Sequence, residues 1–274
     1  YRPQIYINLI FININMKFKL IISLISLFNV FNNSEIYEWG QTGHRVIAQI
    51  AQEYLNENTK DSINKILNGK SLVSVSNFAD EIKSDRKYNK YKPWHYINMN
   101  LDENYEDIVL NKKGDVVQAI NYSIKILNNK KSSKNERIFY LKLLIHFIGD
   151  IHQPLHVGRF EDRGGNDIKV KWFGKTTNLH RVWDSQIIDS HQMSYTELSE
   201  DLPILNLREI NKIKNDSILI WVKESQNLSK LIYSDVINES NLGFHYKYKY
   251  LDKLKLRLLK GGIRLASILN KIFS

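Results

Sequence analysis

Apolar residues recur at helical spacing from Val46 to Leu55, Ile63 to Leu67, Val116 to Leu127, Ile138 to Ile148, Ile218 to Ile232 and Leu251 to Ile272. Positions three and four apart share one face of an α-helix, so each stretch predicts an amphipathic helix and together they predict a mainly α fold. Period-two alternation stands out at Ile168, Val170 and Trp172, after the turn-forming Arg163-Gly164-Gly165-Asn166 and before Gly174, which predicts a short hairpin or extended loop. Residues 83–93 and 100–113 are polar and aromatic without a period, and read as surface loops flanking Trp94-His95-Tyr96-Ile97. There is no repeat, Gly-rich phosphate loop, heptad or linker-like stretch, so 274 residues predict one core.

The N-terminal pattern differs from the rest. A short basic start, Met16-Lys17-Phe18-Lys19, precedes an apolar run from Leu20 to Phe31, as in a secretory signal peptide, and residues 1–38 are set apart as a leader. The domain is expected to be residues 39–274, secreted or periplasmic. Without cysteine its fold relies on its core and on any bound metal. The net charge of +10 becomes +9 without the leader, which suits a polyanionic substrate; an AT-rich genome would equally enrich Lys, Asn and Ile.

Candidate chemistry is concentrated in histidine and aspartate. Five of the eight histidines fall between residues 95 and 180. His146 and Asp150 are four apart on a predicted helix, and His180 and Asp184 repeat the spacing, which puts each pair on one face about 6 Å apart. One such pair is more often a surface hydrogen bond, but two pairs with His156 favour a metal site. Imidazole and carboxylate without thiolate suit catalytic zinc, which supplies hydroxide near neutral pH for hydrolysis.

These residues resemble a known family, the zinc-dependent single-strand-specific nucleases of fungi and plants, and more distantly the bacterial zinc phospholipases C. The resemblance runs from Trp39 to about Lys271. It rests on Trp39-Gly40-Gln41-Thr42-Gly43-His44, Phe78-Ala79-Asp80-Glu81-Ile82, Trp94-His95-Tyr96-Ile97, the stretch from His146 to His156, Asp162-Arg163-Gly164-Gly165-Asn166, and Asn178 to Asp184, with Gly262-Ile263-Arg264-Leu265-Ala266 like the last helix. It implies a single-domain multi-helix bundle with a short β-hairpin, and three zinc ions. Asp80, His95, His146 and Asp150 would hold one, Trp39, His44 and Asp150 a second, and His156, His180 and Asp184 a third. Trp39 would bind through its own backbone as the mature N-terminus, yet Ile36-Tyr37-Glu38 before it are not the small residues a signal peptidase prefers.

The implied reaction is hydrolysis of single-stranded DNA and RNA to 5′-phosphate products, with 3′-nucleotidase activity. Asp80, Asp150 and Lys83 are the implied catalytic groups. Lys83 keeps the charge of the family's usual Arg without its planar fork, and read alone is equally a solvated lysine. Tyr96 would stack on a base, Asn98 stands where fungal members read the base with Asp, and Asn166 would bond near the scissile phosphate or simply close its turn. His152 reads as a packing residue or one that supports the ligands beside it, and Phe244 to Tyr250 reads as an amphipathic surface in preference to a strand-binding patch. The alternatives are a phospholipase C and a non-catalytic zinc-stabilised nucleic-acid-binding protein. No protein partner or lasting membrane anchor is expected, and the chain is expected to be a monomer. Asn121, Asn215, Asn227 and Asn238 head Asn-X-Ser sequons, which carry glycans in a eukaryotic secretory pathway.

Overall fold

The computed structural model describes residues 40–274; the leader and the expected ligand Trp39 lie outside the described residues. Seven longer helices carry the fold: α1 (Gln41–Tyr54), α2 (Glu57–Leu67), α3 (Val116–Asn128), α4 (Lys134–Asp150), α5 (Leu207–Asn215), α6 (Ile218–Asp235) and α7 (Phe244–Phe273). The mainly α expectation holds. Each predicted apolar stretch lies on one of these helices apart from a residue at a boundary, and α5 is the one that the apolar pattern did not mark.

Local chemistry sets the ends of the helices. Ser133 and Glu136 form a reciprocal capping box that starts α4, Asn206 and Glu209 do the same for α5, and Asn56 accepts the Thr59 amide at the start of α2. The buried faces then assemble one core. Val46, Ile47 and Ile50 of α1 pack along α7, whose inner face includes Leu258, Ile263, Leu265 and Ala266. Leu141, Leu144, Phe147 and Ile148 of α4 lie between α1 and α3. In α7, Tyr246 and Tyr250 face inward while Phe244 and Tyr248 face solvent, the expected amphipathic division.

Strands are short. The expected hairpin is present as β3 (Lys169–Trp172) and β4 (Lys175–Asn178), antiparallel, with Lys169 opposite Asn178 and Trp172 opposite Lys175. β5 (Asn241–Leu242) joins β3 in parallel. A second pairing was not visible in the sequence: β1 (Ile97–Asn98) lies parallel to β2 (Val157–Gly158), with Ile97 opposite Val157, and this joins the chain just after His95 to the chain just after His156.

Residues 86–95 are a correction to the loop reading, because they form a 3₁₀ helix, Arg86–His95. Its period of three eclipses Tyr88, Tyr91 and Trp94 on one side. Tyr88 and Tyr91 pack on Phe139 of α4, with ring centroids 5.8 and 5.4 Å away, and Trp94 meets Phe147 at 6.2 Å. That stripe anchors the segment to α4 and delivers His95 into the interior. No helix of the described residues is long and apolar enough to cross a membrane.

Candidate metal centre

Three elements converge on the buried end of α4. His146 and Asp150 project from it, His44 comes from α1, and Asp80 comes from the single helical turn Phe78–Glu81. The 3₁₀ segment adds His95. His156 ends the 3₁₀ turn Pro154–His156, and His180 and Asp184 follow β4. Apart from Asp80, which is partly exposed, all these side chains are buried.

The ligand atoms fall into three groups: His44, His146 and Asp150; Asp80, His95 and His146; and His156, His180 and Asp184. Their spacing fits a metal ion. Two ligand atoms each about 2.1 Å from a tetrahedral ion are about 3.4 Å apart. His44 Nε2 is 3.5 Å from Asp150 Oδ1, and His146 Nε2 is 3.4 Å from Asp80 Oδ1 and 3.3 Å from Asp150 Oδ2. His156 Nε2 is 3.4 Å from Asp184 Oδ1, and His180 Nε2 is 3.2 Å from Asp184 Oδ2. His95 Nδ1 approaches Asp150 Oδ2 at 2.9 Å.

The opposite ring nitrogens are held by backbone. His146 Nδ1 donates to the Ser76 carbonyl at 2.8 Å, His156 Nδ1 to the His95 carbonyl at 2.9 Å, and His180 Nδ1 to the Gly164 carbonyl at 2.7 Å. A donating Nδ1 leaves Nε2 aimed inward, where a cation would take the place of its proton, the arrangement of a metal-binding imidazole. Among the described residues, His44 Nε2, His146 Nε2, His156 Nε2, Asp150 Oδ1 and Asp184 Oδ2 are buried without a hydrogen-bond partner. Leaving so many polar atoms unsatisfied is costly, and divalent cations bound among these groups would satisfy them. The residues fit the metal.

Electrostatics agree. Burial opposes the charge of Asp150, but the imidazoles of His146, His95 and His156 outweigh it and hold the carboxyl well below the usual range. Burial likewise opposes protonation of His146, yet Asp150 and Asp80 raise it to about 10. Burial, then His146, lowers His44. The anionic carboxylates therefore sit in a positive field that a bound cation would replace.

Two glycines make the arrangement possible. Gly149 lies against His44, where an added Cβ would come 2.5 Å from Nδ1. Gly164, at φ 66°, takes a left-handed conformation with its carbonyl aimed at His180.

Of the other expected residues, Lys83 touches this centre. Lys83 Nζ donates to Asp80 Oδ1 at 2.8 Å. Tyr96 follows His95 and is exposed, and Asn98 is half-buried on β1 opposite Gly158. Asn166 donates to the Arg163 carbonyl at 2.9 Å and so closes its own turn. His152 lies outside the three groups and is buried between the Ile148 carbonyl and Arg264. The spacing argument missed Gln153, whose amide donates to Asp184 Oδ1; its place between Asp150 and His156 was the available signal.

A helical scaffold carrying buried imidazole–carboxylate clusters without thiolate defines the class of metal-dependent hydrolases. The family model described as S1/P1 nuclease matches residues 39–274, and the chain belongs to that family. It is 36% identical to Endonuclease 4 of Arabidopsis thaliana over 86% of this chain and 89% of that protein. It is 30% identical to Nuclease S1 of Aspergillus oryzae, covering 87% and 93%, and 27% identical to Nuclease P1 of Penicillium citrinum, covering 85% and 97%. The family is metal-dependent, and the chain is a phosphodiester-cleaving nuclease whose substrate is nucleic acid.

Proposed function

We propose that this chain is a secreted, zinc-dependent endonuclease that cleaves single-stranded DNA and RNA, leaving 5′-phosphates, and that it also removes 3′-phosphate from nucleotides. The observation that carries the reading is the set of orphaned ligand atoms at coordination-edge spacing. Asp80, His95, His146 and Asp150 would hold one zinc, Trp39, His44 and Asp150 a second, and His156, His180 and Asp184 a third. Bound zinc would supply a water of lowered pKa and positive charge for the departing 3′ oxygen.

The chain's own residues do the rest. Asp150 and Asp80 present carboxylate oxygens to the metal groups, and Lys83 sits against Asp80 where its charge would face a scissile phosphate. Tyr96, next in sequence to His95, offers an exposed ring. Interior bases of a duplex are already stacked on both faces, whereas those of a single strand are free to stack on such a ring, which supports the single-strand preference. Asn98 and Asn166 would adjust base and phosphate contacts. Residues 1–38 would act as the leader, releasing the domain at residues 39–274.

The test is metal analysis of the secreted protein together with end mapping of an oligonucleotide digest. Near three zinc per chain, 5′-phosphate ends and slow cleavage of duplex are expected. Two zinc would indicate an unprocessed N-terminus before Trp39. Bound zinc with hydrolysis of short-chain phosphatidylcholine and none of the oligonucleotide would overturn the reading in favour of a phospholipase C.

A further inference from the structure

The segment from Ile151 to Leu155 joins Asp150 to His156, and so connects the Asp80–His95–His146–Asp150 cluster to the His156–His180–Asp184 group. Side chains of α6 and α7 hold its backbone. Ser225 Oγ of α6 donates to the Ile151 carbonyl at 2.6 Å, Arg257 Nε of α7 donates to the His152 carbonyl at 3.1 Å, and Ser229 Oγ donates to the Pro154 carbonyl. The His152 ring donates through Nδ1 to the Ile148 carbonyl at 2.7 Å and accepts through Nε2 from Arg264 Nη1 at 2.9 Å.

The two arginines are tied together behind this grip. Arg257 Nη1 and Arg264 Nη1 both donate to Glu224 Oε2, at 2.5 and 2.7 Å, and Lys260 donates to Glu224 Oε1 at 2.5 Å. Arg257 Nη2 reaches Ser225 Oγ at 2.6 Å, and Arg264 Nη2 reaches Asp216 Oδ2 at 2.5 Å. Both arginines, His152, Ser225 and Ser229 are buried.

Buried charge is expensive, and apolar side chains of similar size commonly hold a core at least as well. Stability alone does not account for the network. Its bonds end on the turn between two ligands, and from the same turn Gln153 reaches across to a third ligand, Asp184. We propose that Arg257, Arg264, Glu224, Ser225 and Ser229 are positioning residues that hold the Ile151–Leu155 turn and thereby fix the separation of the Asp150 cluster from the His156–His180–Asp184 group. The inference rests on the metal-centre reading. Ligands must sit within about 0.2 Å of their ideal distances, and a five-residue turn without such support would not keep that tolerance.

Full-length Ser225→Ala, Ser229→Ala and Arg257→Lys are compared with Leu127→Ala, a buried position on α3 that carries none of these bonds. Three quantities are measured: zinc affinity by refilling chelated protein against a chromophoric competitor, the visible spectrum of the cobalt(II)-substituted protein, and kcat and KM on a single-stranded oligonucleotide. The clamp variants are expected to bind zinc about 10- to 100-fold more weakly, to alter the cobalt spectrum and to lose kcat with KM nearly unchanged. Leu127→Ala is expected to lose thermal stability alone. Should Arg257→Lys not fold, the serine variants, each lacking one hydroxyl, carry the test. Clamp variants that lose stability but keep wild-type zinc affinity, spectrum and kcat overturn the inference. A wild-type protein that takes up no metal overturns the metal-centre reading instead.

Discussion

Gly149→Ala adds one methyl group at the point where α4 touches His44. Built on the existing backbone, that Cβ lies 2.5 Å from His44 Nδ1, 2.9 Å from His44 Cε1 and 3.6 Å from Ile47 Cδ1. An ordinary contact needs about 3.5 Å, so the imidazole must retreat by about 1 Å. It has little room, because its ring is stacked at 3.8 Å on His146. A shift of about 1 Å is several times the tolerance of about 0.2 Å for a metal ligand, so zinc held through His44 should weaken by about 10- to 100-fold, or about 1.4 to 2.7 kcal/mol. The apo fold suffers less, since Ala gains up to about 1 kcal/mol of helix propensity against about 1 to 3 kcal/mol of overpacking. Refilling chelated protein with zinc, beside urea unfolding of the apo form, separates the two effects. In a double-mutant cycle His44→Ala with Gly149→Ala should bind zinc no more weakly than His44→Ala alone. Wild-type zinc affinity in Gly149→Ala would refute the placement of His44 as a ligand.

Chelation should abolish nuclease activity and lower stability; a single site saturated at about a thousand times its Kd contributes about 4 kcal/mol, read from unfolding with and without chelator. Tyr96→Ala should raise KM for a single-stranded oligonucleotide by the equivalent of about 1 to 3 kcal/mol while leaving kcat largely intact, and unchanged steady-state kinetics would remove the stacking role. Burial opposes the charge of Glu224, but its bonds to Arg264, Arg257 and Lys260 outweigh that and lower its pKa. A lowered carboxyl contributes stability that is present above its unfolded value and is lost as pH falls through its folded value. The chelated protein should therefore lose stability below about pH 4.5, and Glu224→Gln should flatten that acid limb in urea titrations. The same variant should cost about 3 kcal/mol at pH 7 by taking the carboxylate from buried Arg257 and leaving Arg264 with Asp216 alone.

The helical core was legible because burial on one face imposes a period that the sequence must carry. The hairpin was legible for a similar reason, since Ile168, Val170 and Trp172 alternate before a turn at Phe173-Gly174. The segment Arg86–His95 escaped because its aromatic residues repeat every three positions, a period that matches neither an α-helix nor a strand, and because their partners Phe139 and Phe147 are remote in sequence. α5 escaped as well. Of its nine residues only Ile213 is buried, so its apolar stripe is too narrow to stand out, and its capping box was the stronger signal.

The two His/Asp pairs show where spacing stops being informative. His146 and Asp150 sit in regular α-helix, as their separation of four predicts. His180 and Asp184 share that separation, but the chain there passes from one α turn, Leu179–Arg181, into a π-helical turn, Val182–Gln186. Distant contacts meet this turn: Trp183 is fully buried and its indole N–H donates to the Tyr246 hydroxyl of α7 at 2.9 Å, while the Gln153 amide donates to Asp184 from the turn after α4. π-helical turns are rare and concentrate at functional sites, where widening the backbone re-aims a side chain. Here the widened turn leaves Asp184 Oδ1 with Gln153 and Oδ2 3.2 Å from His180 Nε2. A pattern of residue types can therefore nominate both ligands, but their aim depends on contacts from α7 and from the clamped turn, which no local spacing encodes.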